Sequence, residues 1–174
     1  LSMQNDTGAF ILYKTNIGNS ETNGAEIFAD YSVSIHNKLY LSIFTSTAYM
    51  DARYKDAMIK SGNTNVNIDG NKVESVPAVI SRNGITAKLY GASISLLYSY
   101  TAKSFADALN TEKPSANGSV GLVPAYSLFD INTTYRFNEK VMLRLNVNNI
   151  FNKQYFTKRP AFYPGPGVWS SDGR

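Results

Sequence analysis

Apolar and polar side chains alternate with a period of two along seven stretches of this 174-residue chain. In the stretch 141–151, Leu143, Leu145 and Val147 alternate with Arg144 and Asn146. Successive side chains of a β-strand point to opposite faces, so each stretch predicts a strand with one apolar and one polar face. The stretches are 10–17, which is the weakest, 25–36, 39–49, 84–90, 92–103, 127–137 and 141–151.

The connections between these stretches alternate in length. Short ones fall at 36–38, 90–91 and 138–140. The long ones are rich in Gly, Asn, Ser and Pro, which predicts loops, and they run over 51–78, 104–124 and 152–174. We therefore expect antiparallel strands with tight turns at one end of a sheet and long loops at the other.

Strands of about ten residues with this arrangement of turns and loops are typical of an outer-membrane β-barrel. Lipid offers no hydrogen-bonding partners, so the backbone of a membrane strand pairs fully and its apolar face points outward. The sequence predicts an all-β fold, an antiparallel transmembrane barrel segment of about seven strands. The polar side chains that we expect to face the barrel lumen are Glu26, Asp30, Arg136, Arg144, Asn146 and Asn148.

Other classes of protein share part of this pattern. A soluble β-sandwich or lipocalin-like barrel also alternates, but its strands are usually shorter and its polar face is richer in Lys and Glu. A complete outer-membrane barrel of about eight strands, acting as an adhesin or a structural anchor, has a similar length. An outer-membrane enzyme needs a nucleophile, a base and an acid, and the lone histidine, His36, is a poor base at a predicted turn.

Composition narrows the chemistry further. The absence of Cys excludes a disulfide scaffold and a thiolate metal site, and a single His leaves no cluster for zinc. We assign no catalytic residue and no metal ligand. The net charge of +4 is spread along the chain without a run of Lys and Arg, so we expect no nucleic-acid partner. No stretch approaches the roughly 18 apolar residues of a membrane helix.

A motif at the end of the last predicted strand resembles a known family. Residues 148–155 read N-N-I-F-N-K-Q-Y, which closely resembles the penultimate strand of TonB-dependent outer-membrane receptors. Residues 16–18 (N-I-G) and 24–26 (G-A-E) resemble a loop and a strand start further upstream in that family. Segments that resemble the ferric dicitrate receptor subfamily, or the last loop of the family, are 76–77, 103–108, 124–126, 163–167 and 171–174.

This resemblance implies both an architecture and a function. Residues 1–174 would be the carboxy-terminal part of a receptor, about seven strands of a 22-stranded barrel with a plugged lumen. The plug, the energy-coupling segment and the closing strand would lie outside this chain. The implied activity is energy-coupled uptake of a ferric chelate, with iron carried as substrate and no resident cofactor. The implied partners are the chelate, the TonB complex, outer-membrane lipid and lipopolysaccharide.

The last long loop contains the residues that we expect to meet the ligand. Guanidinium and ammonium groups bind carboxylates through charge-assisted hydrogen bonds, so Lys158 and Arg159 are candidates for contact with an anionic chelate. We favour Arg159, because a planar fork suits a carboxylate better than a point charge does. Trp169 is a candidate wall of the same site.

Other polar residues are expected to have structural roles. Asn148 and Asn149 lie where the last predicted strand meets its loop, and an Asn side chain can bond to nearby backbone and fix a turn. Glu26 and Asp30 are expected to pair with lumen-facing arginines or with residues of the plug.

Overall fold

A computed structural model describes the backbone of residues 2–4 and 10–12, together with residues 16–35, 38–116 and 118–159. These ranges contain no helix of the length and apolar character needed to cross a bilayer. The described residues form twelve strands: β1 (Ser2–Gln4), β2 (Phe10–Leu12), β3 (Asn19–Ile35), β4 (Leu39–Lys55), β5 (Met58–Ser61), β6 (Thr64–Asn67), β7 (Val79–Leu89), β8 (Ala92–Thr101), β9 (Ser104–Phe105), β10 (Leu122–Val123), β11 (Tyr126–Arg136) and β12 (Met142–Val147).

Six of the described strands form one antiparallel sheet in the order β12-β11-β8-β7-β4-β3. They correspond to six of the seven predicted stretches. The connections β3–β4, β7–β8 and β11–β12 are short and lie at one end, which we call the turn end. The long connections leave from the opposite end, which we call the loop end. The all-β antiparallel fold and the placement of its turns are confirmed.

The structure corrects two details of the strand prediction. The stretch 10–17 does not add a seventh strand to the main sheet, because β2 pairs with β1 in a separate two-stranded sheet. β3 and β4 are each 17 residues long and extend beyond the predicted stretches, to Asn19 and Lys55. A membrane strand needs only about 9–11 residues. The apolar alternation therefore stops where the lipid stops, while the hairpin continues into water with polar side chains.

The register brings the apolar side chains of all six strands to one face of the sheet. Leu41, for example, faces Val33 on one side and Ala87 on the other. One row across the whole sheet consists of Tyr31, Ile43, Ile85, Leu96, Ile131 and Val147. The opposite face carries mainly Ser, Thr, Asn and charged side chains. We call the two surfaces the apolar face and the polar face.

Within the described residues, neither face of the sheet is covered by a hydrophobic core. Ile43 is 55% exposed and Leu145 is 63% exposed on the apolar face. A soluble sandwich or barrel buries its apolar face, whereas a membrane barrel presents that face to lipid. The described chain has the second arrangement. Its buried apolar residues lie at the loop end, and they are Ala52, Ala57, Ile68 and Val123.

The aromatic side chain of Phe44 interrupts the alternation for a local reason. Phe44 lies on the polar face and faces Gly84 on the neighbouring strand. A Cβ atom at Gly84 would lie 2.2 Å from the Phe44 ring and 2.9 Å from the side chain of Leu97. Gly84 therefore leaves the space that the Phe44 ring occupies. The glycine and the aromatic residue are both exceptions to the alternation, and each accounts for the other.

The long loops contain short strands that the alternation did not predict. β5 and β6 form a hairpin within the loop after β4, and β9 pairs with β10 within the loop after β8. Strands of two to four residues are too short for a period of two to be recognised in the sequence.

Candidate ligand-binding face and outer loops

The predicted lumen residues that lie in the main sheet are all on its polar face. Glu26 and Asp30 lie on β3, Arg136 on β11, and Arg144 and Asn146 on β12, and every one of them is exposed. Asn146 faces another polar residue, Asn132, and Arg144 faces Thr134. Asn148 follows β12 and is also exposed. The polar face therefore has the composition of a wall that borders water.

The expected pairing of acids and arginines across this wall does not form. β3 and β12 are the two edges of the sheet, separated by five strand spacings of about 4.8 Å each. Glu26 and Asp30 are therefore too far from Arg144, and within the described residues neither carboxylate forms an ion pair. Alternation reveals the face of a residue but not the position of its strand, so the sequence could not show this separation; the alternative, pairing with residues of the plug, stays a prediction.

Charged side chains form a network at the loop end of β3 and β4. The Asp51 carboxylate lies 2.6 Å from Lys72 Nζ and 2.9 Å from Arg53 Nε. The hydrogen bonds from Lys72 and then Arg53 lower the pKa of Asp51 below its usual value. Lys55 lies 3.6 Å from Glu21 on the adjacent strand. Exposed pairs of this kind contribute little to stability, but they align the chain around Lys72 with β4, where Arg53 and Lys72 form an antiparallel bridge.

Two of the long loops are joined by hydrogen bonds. The Oδ1 atom of Asn110 accepts a bond from the Lys72 N–H at 2.7 Å, and its Nδ2 atom donates to the Lys72 carbonyl at 2.8 Å. The Asn110 amide therefore bonds to both the N–H and the carbonyl of Lys72, as the backbone of a paired strand would. Asn71 Nδ2 donates to the Ala108 carbonyl at 2.9 Å. The loops after β4 and β8 therefore form one connected surface above the sheet.

Tyr54 attaches the same surface to the end of β4. Its hydroxyl donates a hydrogen bond to the Glu74 carboxylate. Burial, and then this bond and the charge of Glu74, raise the pKa of Tyr54 above its usual value. The hydroxyl therefore remains a neutral donor at any physiological pH.

The motif after β12 forms a backbone clamp. Asn149 is buried, and its φ of 50° lies in the left-handed region that Asn adopts more readily than most residues. Its Oδ1 atom accepts a bond from the Lys153 N–H at 2.8 Å, and its Nδ2 atom donates to the Lys153 carbonyl at 3.0 Å. Its own N–H donates to Asp130 Oδ1 on β11 at 2.7 Å. The structure gives Asn149 the turn-fixing role that the sequence predicts.

Arg159 is oriented differently from the expectation for a ligand contact. Its side chain is buried, with Nε donating to the Leu122 carbonyl and Nη1 to the Gly118 carbonyl, each at 3.1 Å. Its guanidinium carbon lies 4.7 Å from the centre of the Phe156 ring, and burial lowers its pKa. The guanidinium therefore ties the segment after β12 to the loop after β8, and does not point freely toward an incoming anion.

The other two candidates for ligand contact in this loop are Lys158 and Trp169. Lys158 is exposed, so its ammonium group is available to a ligand. Trp169 lies outside the described residues. In the described part of the chain, no group of three or more His, Asp or Glu side chains is arranged to hold a metal ion.

Sequence reasoning missed one charged residue of the polar face, Arg82. The predicted strand began at residue 84, although β7 begins at Val79. Asn83 on the apolar face and Gly84 on the polar face interrupt the alternation at this point. The sequence could still have placed Arg82 on the polar face. It lies an even number of residues from Thr86 and Lys88, and residues so spaced in a strand share a face.

Comparisons with known proteins agree with this architecture. A model of the family "TonB dependent receptor-like, beta-barrel" matches residues 2–150. The probable TonB-dependent siderophore receptor PiuA of Acinetobacter baumannii is 32% identical over 94 residues, which are 53% of this chain and 11% of that protein. The crystal structure of the unliganded ferric citrate transporter FecA matches with a TM-score of 0.69 and 27% identity, over 87% of this chain and 22% of that one. The crystal structure of PiuA from A. baumannii matches in fold, with a TM-score of 0.64 and 23% identity, over 97% of this chain and 22% of that one.

The two-faced sheet defines an outer-membrane β-barrel protein, and the family match includes all six strands of that sheet. The chain belongs to the TonB-dependent receptor-like β-barrel family. It spans 11% of the curated relative and 22% of each solved receptor. The relatives are named as receptors and as a transporter, not as enzymes.

Proposed function

We propose that this chain forms part of the barrel wall of an energy-coupled receptor that takes up a ferric chelate across the outer membrane. The substrate class is ferric citrate or a similar siderophore. The observation that carries the proposal is the sheet itself, with one face suited to lipid and the other to a hydrated lumen, in a chain of this family. Iron enters as part of the substrate, so no resident cofactor and no chemical change of the chelate are required.

The names of two relatives support the substrate class. PiuA is named as a siderophore receptor and FecA as a ferric citrate transporter. The partners in this proposal are the chelate and, through a plug outside this chain, the TonB complex. Outer-membrane lipid would cover the apolar face, and lipopolysaccharide would surround the loop end. Nucleic acid has no part in the proposal.

The outer loops supply the cations that an anionic chelate requires. Lys158 is exposed and is the candidate for direct contact. Arg159 would act indirectly, because its bonds to two carbonyl groups hold the loop that presents Lys158. Trp169 remains a candidate wall of the same site.

The test is iron uptake by cells whose only receptor for the chelate is the full-length protein. We expect saturable uptake of radioactive ferric citrate that disappears when TonB is deleted. Lys158→Ala should raise the concentration for half-maximal uptake severalfold, and Lys140→Ala, at the turn end, is the matched control and should not. A receptor that is present at the surface but takes up no ferric chelate would contradict the proposal.

A further inference from the structure

Arg82 and the two serines that flank it form an unpaired group of donors on the polar face. Arg82 lies on β7 and faces Ser46 on β4 and Ser99 on β8. The guanidinium is exposed. Within the described residues, none of these three side chains forms a hydrogen bond or an ion pair. We call Ser46, Arg82 and Ser99 the donor row.

Hydroxyl groups closer to the turn end behave differently. Ser32 bonds to Ser42 at 3.1 Å, and Thr86 bonds to Ser95 at 2.8 Å, both across neighbouring strands of the same face. Those side chains satisfy each other, so they have little need of a further partner. The donor row keeps its hydrogen-bonding capacity for a group that enters the space in front of the wall.

The carboxylates of this wall form no ion pair with Arg82 within the described residues. Glu26 and Asp30 on β3 and Asp130 on β11 each lie two strands away from β7. Neighbouring strands are about 4.8 Å apart and successive residues on one face about 6.8 Å apart, which puts these Cα atoms about 12 Å from that of Arg82. The Arg82 guanidinium therefore has no direct carboxylate partner in the described part of the chain.

The opposite face of β7 indicates the depth of the donor row. Leu89, Ala87 and Ile85 are apolar, and the next residues on that face are Asn83 and Ser81. Asn83 Nδ2 donates to Ser81 Oγ at 3.0 Å, so polar groups begin at this level. Polar groups therefore begin to replace the apolar ones on that face of β7 near residues 81–83. Arg82 lies at the same level on the polar face.

We propose that the donor row binds a carboxylate group of an anionic ferric chelate as the chelate passes from the loops into the lumen. A guanidinium fork binds a carboxylate through two parallel hydrogen bonds, and the flanking hydroxyls add a donor on each side. This assignment rests on the proposed uptake function and makes it more specific. A donor row with this role binds chelates that carry free carboxylates more tightly than neutral chelates.

A carboxylate of the protein's own plug has the same chemistry and is the competing occupant. The two occupants predict different measurements. A plug carboxylate would make Arg82 important for the stability of the empty receptor. A chelate carboxylate would make it important for affinity toward a charged ligand alone.

The experiment compares two chelates on the purified full-length receptor in detergent. Binding of ferric citrate and of a charge-neutral ferric trihydroxamate is measured for the wild type, Arg82→Gln, Arg82→Lys and the control Lys88→Gln. Lys88 shares the polar face but lies nearer the turn end. We expect Arg82→Gln to weaken ferric citrate binding on the order of tenfold, as for the loss of a hydrogen bond to a charged group. Arg82→Lys should recover part of the loss, and Lys88→Gln should have no effect.

The outcomes separate this inference from the proposed function. A wild type that binds ferric chelates, with Arg82→Gln unchanged for ferric citrate, overturns the donor row and leaves the uptake proposal intact. Equal weakening for both chelates, or a lower melting temperature of the empty Arg82→Gln receptor with unchanged affinity, also overturns it and favours the plug carboxylate. A wild type that binds no ferric chelate overturns the uptake function, and the donor row falls with it.

Discussion

Asn149 combines two properties that few side chains share. It adopts a φ of 50° without the steric cost that most residues incur, and its amide satisfies both the N–H and the carbonyl of Lys153. Its backbone N–H is bonded to Asp130, which links the end of β12 to β11. A single residue therefore determines where the strand ends and where the outer loop begins.

Replacing Asn149 tests this clamp directly. Asn149→Ala should lower the free energy of unfolding of the full-length barrel by about 1 kcal/mol, because the part-buried N–H and carbonyl of Lys153 both lose their side-chain partner. Asn149→Gly should cost less, since it accepts the positive φ. Urea unfolding in detergent micelles is the measurement, with Asn148→Ala as a control that should be nearly neutral. A control as costly as Asn149→Ala would contradict the clamp.

Gly84 and Phe44 make a second prediction for individual residues. Gly84→Ala places a methyl group where the Phe44 ring lies, so we expect Gly84→Ala to destabilise the barrel by about 1–3 kcal/mol. In a Phe44→Ala background the overlap with the ring is removed and only the end of the Leu97 side chain must move, so the cost of Gly84→Ala should fall. A double-mutant cycle on unfolding free energies measures the difference. Additive costs would show that the two positions do not compete for the same space.

At the scale of elements, the alternation of β12 distinguishes lipid contact from water contact between adjacent residues. Leu145 belongs to an apolar row that includes Ile94 and Thr133, whereas Asn146 faces Asn132 on the polar face. Whether a residue of a strand lies on the lipid side or on the water side is therefore decided by its place in the odd–even alternation, so that two adjacent residues differ completely.

This parity leads to opposite expectations for neighbouring substitutions. Leu145→Arg should cost roughly 2–4 kcal/mol of unfolding free energy if the residue lies near the middle of the membrane, because the charge enters hydrocarbon. Asn146→Ser should be nearly silent, because its side chain borders water. Both are measured by unfolding of the full-length barrel in lipid vesicles. Equal costs at the two positions would refute the assignment of faces.

At the scale of the whole molecule, the described sheet is open, with β3 and β12 as its edges. Unpaired edges recruit other chains, and the apolar face adds a large surface that avoids water. Within the described residues, the buried apolar groups under the loops are few, so they stabilise the loop end and not the sheet.

The isolated 174-residue chain should therefore not be a well-behaved monomer without detergent. We expect size-exclusion chromatography to show aggregates or broad oligomers in aqueous buffer, and detergent to narrow the distribution. The full-length receptor in the same detergent is the reference. A sharp monomer peak of the isolated chain without detergent would favour a soluble barrel.

The sequence by itself determined the six strands of the main sheet, the two faces of that sheet and its turn end. Alternation is a local property, and the period of two assigns Leu145 and Asn146 to opposite faces before any partner strand is known. The clamp at Asn149 was predictable for the same reason, because its partner Lys153 is four residues away. Arg82 was missed because Asn83 and Gly84 interrupt the local pattern, although parity was sufficient to place it.

Only the tertiary structure decided which distant groups meet. Asn110 binds Lys72 across 38 positions, and Arg159 reaches Leu122 across 37. The hydrogen bonds of Arg159 could therefore not be read from the sequence, which shows a guanidinium but not the carbonyl groups that surround it. The edge positions of β3 and β12, which separate Glu26 from Arg144, follow from the strand order in the same way. Such contacts depend on how the sheet brings remote loops together in space, and a local period carries no information about that.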